Sequence, residues 1–422
     1  MSYLIGLICI LFVFLSYKYD HKLYNPYILF NLWWGTTIFI SGLGLFGIYI
    51  PNVNTYFLML LAIVFFNLSA FFKFRKINKS TLKITINKNH NNNENKSIKF
   101  VIFMELIIIA YLLKRTILVL KLLLSGMSYQ TIRYEFFYAD NINNGYDQLV
   151  NAWFVLPIIT FSIILLSLMI IEKRNNRVLL ILTLISVGQY SFSSGGRSLL
   201  LTSGLILIMS WMISKDKVKV SFLSKIKIRI SMIVLVIAMF TITIFRNDTL
   251  GNPIIQAFKT IVLYFTAPYI YFENLIGLVI QDKVTLYGGA FFGGIIDVFV
   301  LFCRYIGFDL TQISTHVGKY NQLYLSVGDS SYYNAFPTMI FTFFYDFGYL
   351  GIVLESFIFG LMANYFYGKM KREDSTASKG IYIIIVIMIY ESVMRWIGTS
   401  ATPWIVILLL FIFDKISKFK KT

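Results

Sequence analysis

Arg197 stands in the segment SFSSGGRS, directly after Gly195 and Gly196 and between two long apolar runs. A guanidinium is planar, permanently charged and forked, so it matches the oxygens of a phosphate two at a time. A glycine pair ahead of it lets backbone N–H groups approach the same anion where a helix begins. Arg246 ends a later apolar run in the sequence FRND, Arg133 lies in a polar stretch after an earlier run, and Arg304 sits near the end of another. The chemistry this set suggests is binding and charge neutralisation of a pyrophosphate. The competing reading is that these arginines reach lipid headgroups or pair with Asp and Glu. The short Ser/Gly turn around Arg197 favours the anion there.

A second set lies in DLTQISTHVGKYNQLYLSVGDSSYYNAFPTMIFTFFYD, residues 309–346. His316 ionises near neutral pH and is the candidate general base. Glu135 and Asp346 are substitutes for it. Tyr320, Tyr324, Tyr332, Tyr333 and Tyr345 offer aromatic faces for sugar C–H surfaces and hydroxyls for sugar oxygens. An interfacial aromatic belt is the bland alternative for the same tyrosines. Cys9 and Cys303 are far apart in apolar runs, which gives neither a metal site nor a disulfide framework.

The elements that must position these residues are transmembrane helices. The 422 residues are 57% hydrophobic and 14% charged, with mean hydropathy +0.71, whereas a soluble domain carries about 25% charged residues. Apolar runs recur at 2–17, 27–50, 55–72, 99–124, 151–171, 178–194, 198–214, 230–245, 347–368, 380–394 and 399–413. The first run lacks a basic leader and a small-residue cleavage site, so it reads as a retained helix. The net charge of +18 comes from Lys and Arg in short loops, which argues for the positive-inside rule and against nucleic acid.

The loop 73–99 carries eight lysines and arginines and fixes the cytoplasmic side. Its polar centre, NKNHNNNENKS, cannot bury a core. The stretches 18–26, 172–177, 215–229 and 369–372 and the C-terminal tail fall on that same side. The N-terminus is then outside and the C-terminus cytoplasmic, with 125–150 as an external loop. Between Arg246 and Asn334, the runs 254–280 and 284–308 are interrupted by Pro253, Pro268 and the pairs Gly288–Gly289 and Gly293–Gly294. They are either two spans or re-entrant helices of one external region, 246–346, since broken helices are tolerated where they line a cavity. The expectation is a single integral membrane domain over 1–422, all-α, with 11–13 transmembrane helices and a large extracytoplasmic region between the late ones.

Two segments carry a resemblance. GGRSLLLTSGLILI at 195–208, and YNAFPTMIFTFFYDFGYLGIVLESFIFG at 333–360, resemble the oligosaccharide repeat-unit polymerases, the Wzy or O-antigen polymerase family. The family pattern is a Gly/Ser-Arg-Ser turn, then Asn followed by Tyr-Asp-Phe-Gly-x-x-Gly opening a helix. Here the second part reads Asn334, then Tyr345, Asp346, Phe347, Gly348 and Gly351. At the commoner Thr-after-Asn positions this chain has Ala335-Phe336-Pro337-Thr338.

The resemblance implies an architecture similar to lipid-dependent, GT-C-like glycosyltransferases. It implies a metal-independent inverting enzyme of the cell membrane, without a cofactor, that joins undecaprenyl-pyrophosphate-linked oligosaccharides at the external leaflet in O-antigen, capsule or exopolysaccharide synthesis. Arg197 and Arg246 would stabilise the departing pyrophosphate, with Arg133, Arg304, Gly195, Gly196, Asn334, Tyr333 and Tyr345 binding substrate and His316 or Asp346 taking the proton. The broken region 253–308 would hold prenyl tails, and a flippase and a chain-length regulator would be partners. A lipid-linked oligosaccharide flippase, an O-antigen ligase and a non-catalytic export scaffold are the alternatives. Glu105, Glu355 and Glu391, placed within spans, keep transport open.

Overall fold

The computed structural model of the chain describes residues 1–72, 90–137, 145–172, 174, 176–215, 233, 237, 253–373 and 375–418. Six helical segments among them are long and apolar enough to cross a membrane: Ser2–Tyr19, Val53–Phe71, Gly145–Ile171, Arg177–Ser194, Phe258–Asp282 and Tyr349–Glu373. This is consistent with a polytopic helical membrane protein.

Fewer full spans emerge among the described residues than the apolar runs suggested, for local reasons. The run 27–50 yields α2, Pro26–Ser41, which stops because Gly44 and Gly47 turn the chain at φ +57° and +71°. The run 284–308 begins with a non-helical stretch, so its helix α11 is only Gly293–Tyr305, 13 residues. At 1.5 Å per residue that is about 20 Å, short of a roughly 30 Å hydrocarbon core. The glycine pairs therefore mark a break in the chain, as their spacing suggested. The run 230–245 lies outside the described residues except for Ile233 and Ile237. The stretch 125–150 holds two short helices, α5 (Tyr129–Phe137) and α6 (Gly145–Val150).

The chain divides into two compact units. The first comprises Met1–Arg75, Ile254–Glu373 and Ile384–Trp404; the second comprises Lys76–Pro253, Asp374–Ile383 and Ile405–Thr422.

In the first unit, α1 (Ser2–Tyr19) packs on α2, and α3 (Val53–Leu68) packs on α14 (Tyr349–Glu373). A Cβ on Gly360 would lie 2.5 Å from the Phe66 carbonyl, so α14 approaches α3 as closely as only glycine permits. Asn31 and Asn67 exchange amide hydrogen bonds at 2.7 and 3.0 Å between α2 and α3. That reciprocity satisfies two buried amides which alone would be costly. Four indoles pin the C-terminal segment. Trp33 donates to the Tyr390 carbonyl at 2.9 Å, Trp34 to Ser392 Oγ at 2.9 Å, Trp396 to the Phe291 carbonyl at 2.8 Å, and Trp404 to the Gly398 carbonyl at 2.8 Å. This unit also carries one small hairpin within its helical architecture. The strands β1 (Leu325–Gly328) and β2 (Ser331–Tyr333) form an antiparallel hairpin. Its turn is docked on the chain near Gly47 by Tyr49 N–H to Val327 O (2.9 Å) and Asp329 N–H to Gly47 O (3.0 Å).

In the second unit, α4 (His90–Leu124), α7 (Leu156–Ile171), α8 (Arg177–Ser194) and α9 (Ser198–Lys215) pack together. Hydroxyls tie α7 to α9 through Ser167 and Ser210 at 2.7 Å. Val119, Ile132 and Phe136 form an apolar cluster that seats α5 on α4.

Candidate functional site

The second unit builds the turn around Arg197. Gly195 caps α8 at φ +60°, a left-handed geometry that favours glycine. A Cβ there would lie 3.3 Å from Arg133 Cδ and 3.4 Å from Tyr129 Cε1. The turn is thus packed against α5, and Arg133 lies against the glycine that Arg197 follows by two residues. Tyr129 locks the packing by donating to the Phe192 carbonyl at 2.7 Å. Gly196 N–H is held by Ser194 Oγ at 3.2 Å. The Arg197 carbonyl accepts from Leu201 N–H at 3.0 Å, so Arg197 opens α9. A half-buried cation thus stands at the positive end of an 18-residue helix. Arg115, by contrast, is spent internally: it is buried, bonded to Asn151 Oδ1 at 3.3 Å and stacked 4.9 Å over Phe136. Arg246 lies outside the described residues.

The first unit positions the remaining candidates. His316 lies on α12 (Ile313–Asn321), where its imidazole is half-buried. The start of α12 is fixed by Asp297 of α11, whose carboxylate oxygens accept from Ile313 N–H at 2.5 Å and Ser314 N–H at 3.0 Å. An acceptor at the first turn satisfies orphan donors and complements the helix dipole. At the other side of α12, Asp282, which ends α10 (Pro253–Asp282), accepts from Lys319 Nζ at 2.7 Å and Tyr320 Oη at 2.5 Å. Arg304 is exposed in the last turn of α11.

Asp346 closes α13 (Met339–Phe347) with none of its surface exposed. Its Oδ1 accepts from Ala290 N–H at 2.8 Å and its Oδ2 from Phe291 N–H at 2.7 Å. The neighbouring carbonyls continue the pairing, with Leu286 N–H on Tyr345 O and Tyr287 N–H on Asp346 O. Burial pushes the Asp346 carboxyl up, and the two backbone N–H groups oppose that shift. Gly348 then turns at φ +61°, and Gly351 sits where a Cβ would be 1.9 Å from the Phe343 carbonyl. The Tyr-Asp-Phe-Gly-x-x-Gly pattern is therefore a clamp: it joins α13 to α14 and holds the broken stretch 286–291. Both Asp346 oxygens are engaged in that clamp, which makes a positioning residue of a candidate base.

The clamp borders a cavity of about 580 Å³ lined chiefly by apolar side chains, among them Leu286, Phe292, Phe347 and Ile358. Glu355 of α14 also lines it. This residue is 2% exposed and faces the Asp346 carboxyl.

The tyrosines divide. Tyr320, Tyr333 and Tyr345 are buried, Tyr345 with its ring 5.3 Å from that of Tyr320. Tyr324 and Tyr332 instead stack face to face, 5.3 Å apart at 7°, and both are exposed on the hairpin. Asn334 is half-buried in the following turn. Arg395 is a further cation of this unit. The structure places it beside that turn, 4.5 Å over the Phe336 ring and 3.2 Å from Glu391 Oε2. The i,i+4 spacing of Glu391 and Arg395 was the signal available for their pairing.

No family model matches the chain, and no curated protein or solved structure matches it.

Proposed function

We propose that the protein is a membrane-embedded glycosyltransferase that lengthens a polysaccharide by joining oligosaccharide units carried on a prenyl pyrophosphate. The observation that carries this reading is the Gly195 turn, where Arg133 packs behind the glycine and Arg197 opens a long helix. Such a place suits a multiply charged phosphate leaving group, stabilised electrostatically by fixed donors. In the reaction, an acceptor sugar hydroxyl attacks the anomeric carbon of the donor. The bond from that carbon to the pyrophosphate oxygen breaks, and the electron pair leaves with the pyrophosphate. His316 is the base assigned to the acceptor proton, since its imidazole has no hydrogen-bond partner among the described residues. The stacked Tyr324–Tyr332 pair is assigned to sugar, and the apolar cavity beside the clamp to a stretch of prenyl chain. Undecaprenyl is the expected prenyl group, and the outer leaflet of the cytoplasmic membrane the expected place, with the C-terminus cytoplasmic. A flippase and a chain-length regulator are the expected partners.

The test is reconstitution of the purified chain in vesicles with lipid-linked repeat units. Longer glycans on the prenyl carrier support the reading, and unchanged repeat units overturn it. A second reading, transport of the same lipid-linked oligosaccharide, is favoured by Glu105 and Glu355, two carboxyl groups buried on long apolar helices. Leaflet exchange without new linkages in the same vesicles would select it. An O-antigen ligase would transfer finished glycan to a second lipid acceptor and make no longer chains.

A further inference from the structure

The second unit holds a carboxyl group that chain lengthening does not use. Glu105 has none of its surface exposed and lies on the buried face of α4 with Val101, Ile108 and Leu112, at i−4, i+3 and i+7. Among the described residues no Lys, Arg or His pairs with it. Its hydrogen-bonding neighbours are two hydroxyls from the adjoining helices, Ser162 of α7 and Ser186 of α8, both fully buried. One acid and two hydroxyls thus meet where three helices pack in an apolar bundle. A bare carboxylate is costly in such surroundings, so a counter-charge has to accompany it.

The bonding of Ser186 indicates the kind of charge. Its Oγ donates to the Thr183 carbonyl at 3.1 Å, which leaves the lone pairs of that oxygen for the carboxyl. Two acceptors then face each other, an arrangement that a positive charge between them makes favourable. Thr183 supplies an independent observation. It lies on the same face of α8 as Ser186, is 2% exposed, and its Oγ1 has no hydrogen-bond partner among the described residues. Buried hydroxyls are nearly always satisfied. A proton on Glu105 would serve the carboxyl and one hydroxyl, and leave Thr183 as it is. A metal cation accepts lone pairs from every oxygen around it. The donor set is all oxygen and carries one negative charge. That selects a hard monovalent ion, because a divalent one would leave net charge inside the bundle and softer metals prefer nitrogen or sulfur.

We propose that Glu105, Ser162, Ser186 and Thr183 form a sodium site that staples α4, α7 and α8 together. Glu105 supplies the charge, and the three hydroxyls supply the remaining protein ligands. The ion acts beyond its own shell, since α8 runs on to the Gly195 turn and α4 seats α5. Occupancy of the site therefore bears on both partners of that turn without any contact to substrate.

The experiment is thermal unfolding of the purified full-length chain in detergent, titrated with sodium chloride and, at matched ionic strength, with potassium or choline chloride. An ion that binds only the folded state raises the melting temperature as its concentration passes the dissociation constant. A saturable rise with sodium is expected for the wild type, and none with choline. Glu105→Gln keeps the shape of the side chain, removes its charge and should abolish the sodium response. Thr183→Val removes one oxygen and should raise the sodium needed for half the effect by roughly 10-fold or more, the range seen when a group supporting a bound metal is lost. If Glu105→Gln does not fold, Thr183→Val carries the test. An equal rise in choline, or a wild-type sodium response in either variant, overturns the proposal, because a carboxyl that holds only a proton has no use for Thr183. An equal response to potassium overturns the assignment to sodium. Labelling of Glu105 by dicyclohexylcarbodiimide, which adds to a protonated carboxyl, is a second reading. Sodium should slow it while leaving any labelling of Glu355 in the first unit unchanged, and equal slowing at both residues would count against the site. Neither measurement involves glycosyl transfer, so failure to polymerise would sink the proposed function and leave the sodium site standing.

Discussion

Asp346 accepts the backbone N–H of Phe291 at 2.7 Å, and through that contact and three neighbouring hydrogen bonds a nine-residue helix determines where the broken stretch 286–291 lies. Phe291 in turn receives the Trp396 indole on its carbonyl at 2.8 Å. The carboxylate thus sits at a junction of three chain segments, and its removal should be felt in all of them.

Asp346→Ala leaves two buried N–H groups without acceptors. Each charge-assisted bond contributes roughly 1.5–3 kcal/mol, so a loss of about 3 kcal/mol or more is expected. Thermal unfolding in detergent measures it. Asp346→Asn keeps one acceptor oxygen and should lose less. A variant that melts with the wild type but polymerises nothing would return Asp346 to the chemistry.

Arg197→Ala should leave the melting temperature unchanged and lower the rate of chain lengthening by about 10²–10³-fold, the loss expected for one donor to developing negative charge. Arg197→Lys should recover only part of the rate, because a point charge lacks the fork. Full activity in the alanine variant would remove this turn from the mechanism.

Gly195→Ala forces a side chain into a left-handed turn, which costs roughly 1–2 kcal/mol, and presses its Cβ to 3.3 Å from Arg133. Both stability and turnover should fall. Arg133→Ala in the same background relieves the contact, so stability should partly recover while turnover does not.

Asp297→Ala removes the acceptor at the start of α12, and capping losses of about 1 kcal/mol are usual. If His316 is the base, the Asp297 variant should lower kcat with little change in the KM for acceptor, since the imidazole would be displaced and not removed. His316→Ala should lower kcat further, by about 10²-fold or more. Equal rates in wild type and His316→Ala would move the proton to another group.

The exposed pair Tyr324–Tyr332 should act as a unit. Either tyrosine to alanine should raise the KM for acceptor several-fold, and the double variant should add little, because one ring cannot hold the stack. Unchanged KM in both single variants would leave the pair a surface feature.

Much of this architecture was legible from composition and from glycine. Runs of apolar residues gave helices near their expected positions, and Gly288–Gly289 with Gly293–Gly294 marked the break that leaves α11 too short to span. Charge counting could not reveal what a side chain does once folded. Arg115 and Arg197 look alike in sequence, yet one is buried against Phe136 and Asn151 while the other opens a helix. The tyrosines illustrate the same limit. Strand alternation sends Tyr332 outward and Tyr333 inward, and a reading of 309–346 as a loop has no such alternation to use. Asp346 was noticed through its motif, but its role depends on Ala290 and Phe291, more than fifty residues earlier.

The indoles of α2 have a consequence for biosynthesis. Trp33 and Trp34 find their acceptors at Tyr390 and Ser392, 357 and 358 positions further along the chain. At translation rates of roughly 5–20 residues per second, about 20–70 s pass between making one partner and the other. During that interval two polar edges wait unpaired on a helix already emerging from the ribosome. The first unit is therefore completed only when its last segment arrives, and a chain truncated before Tyr390 should be recognised as unfinished and degraded, whatever the state of the second unit.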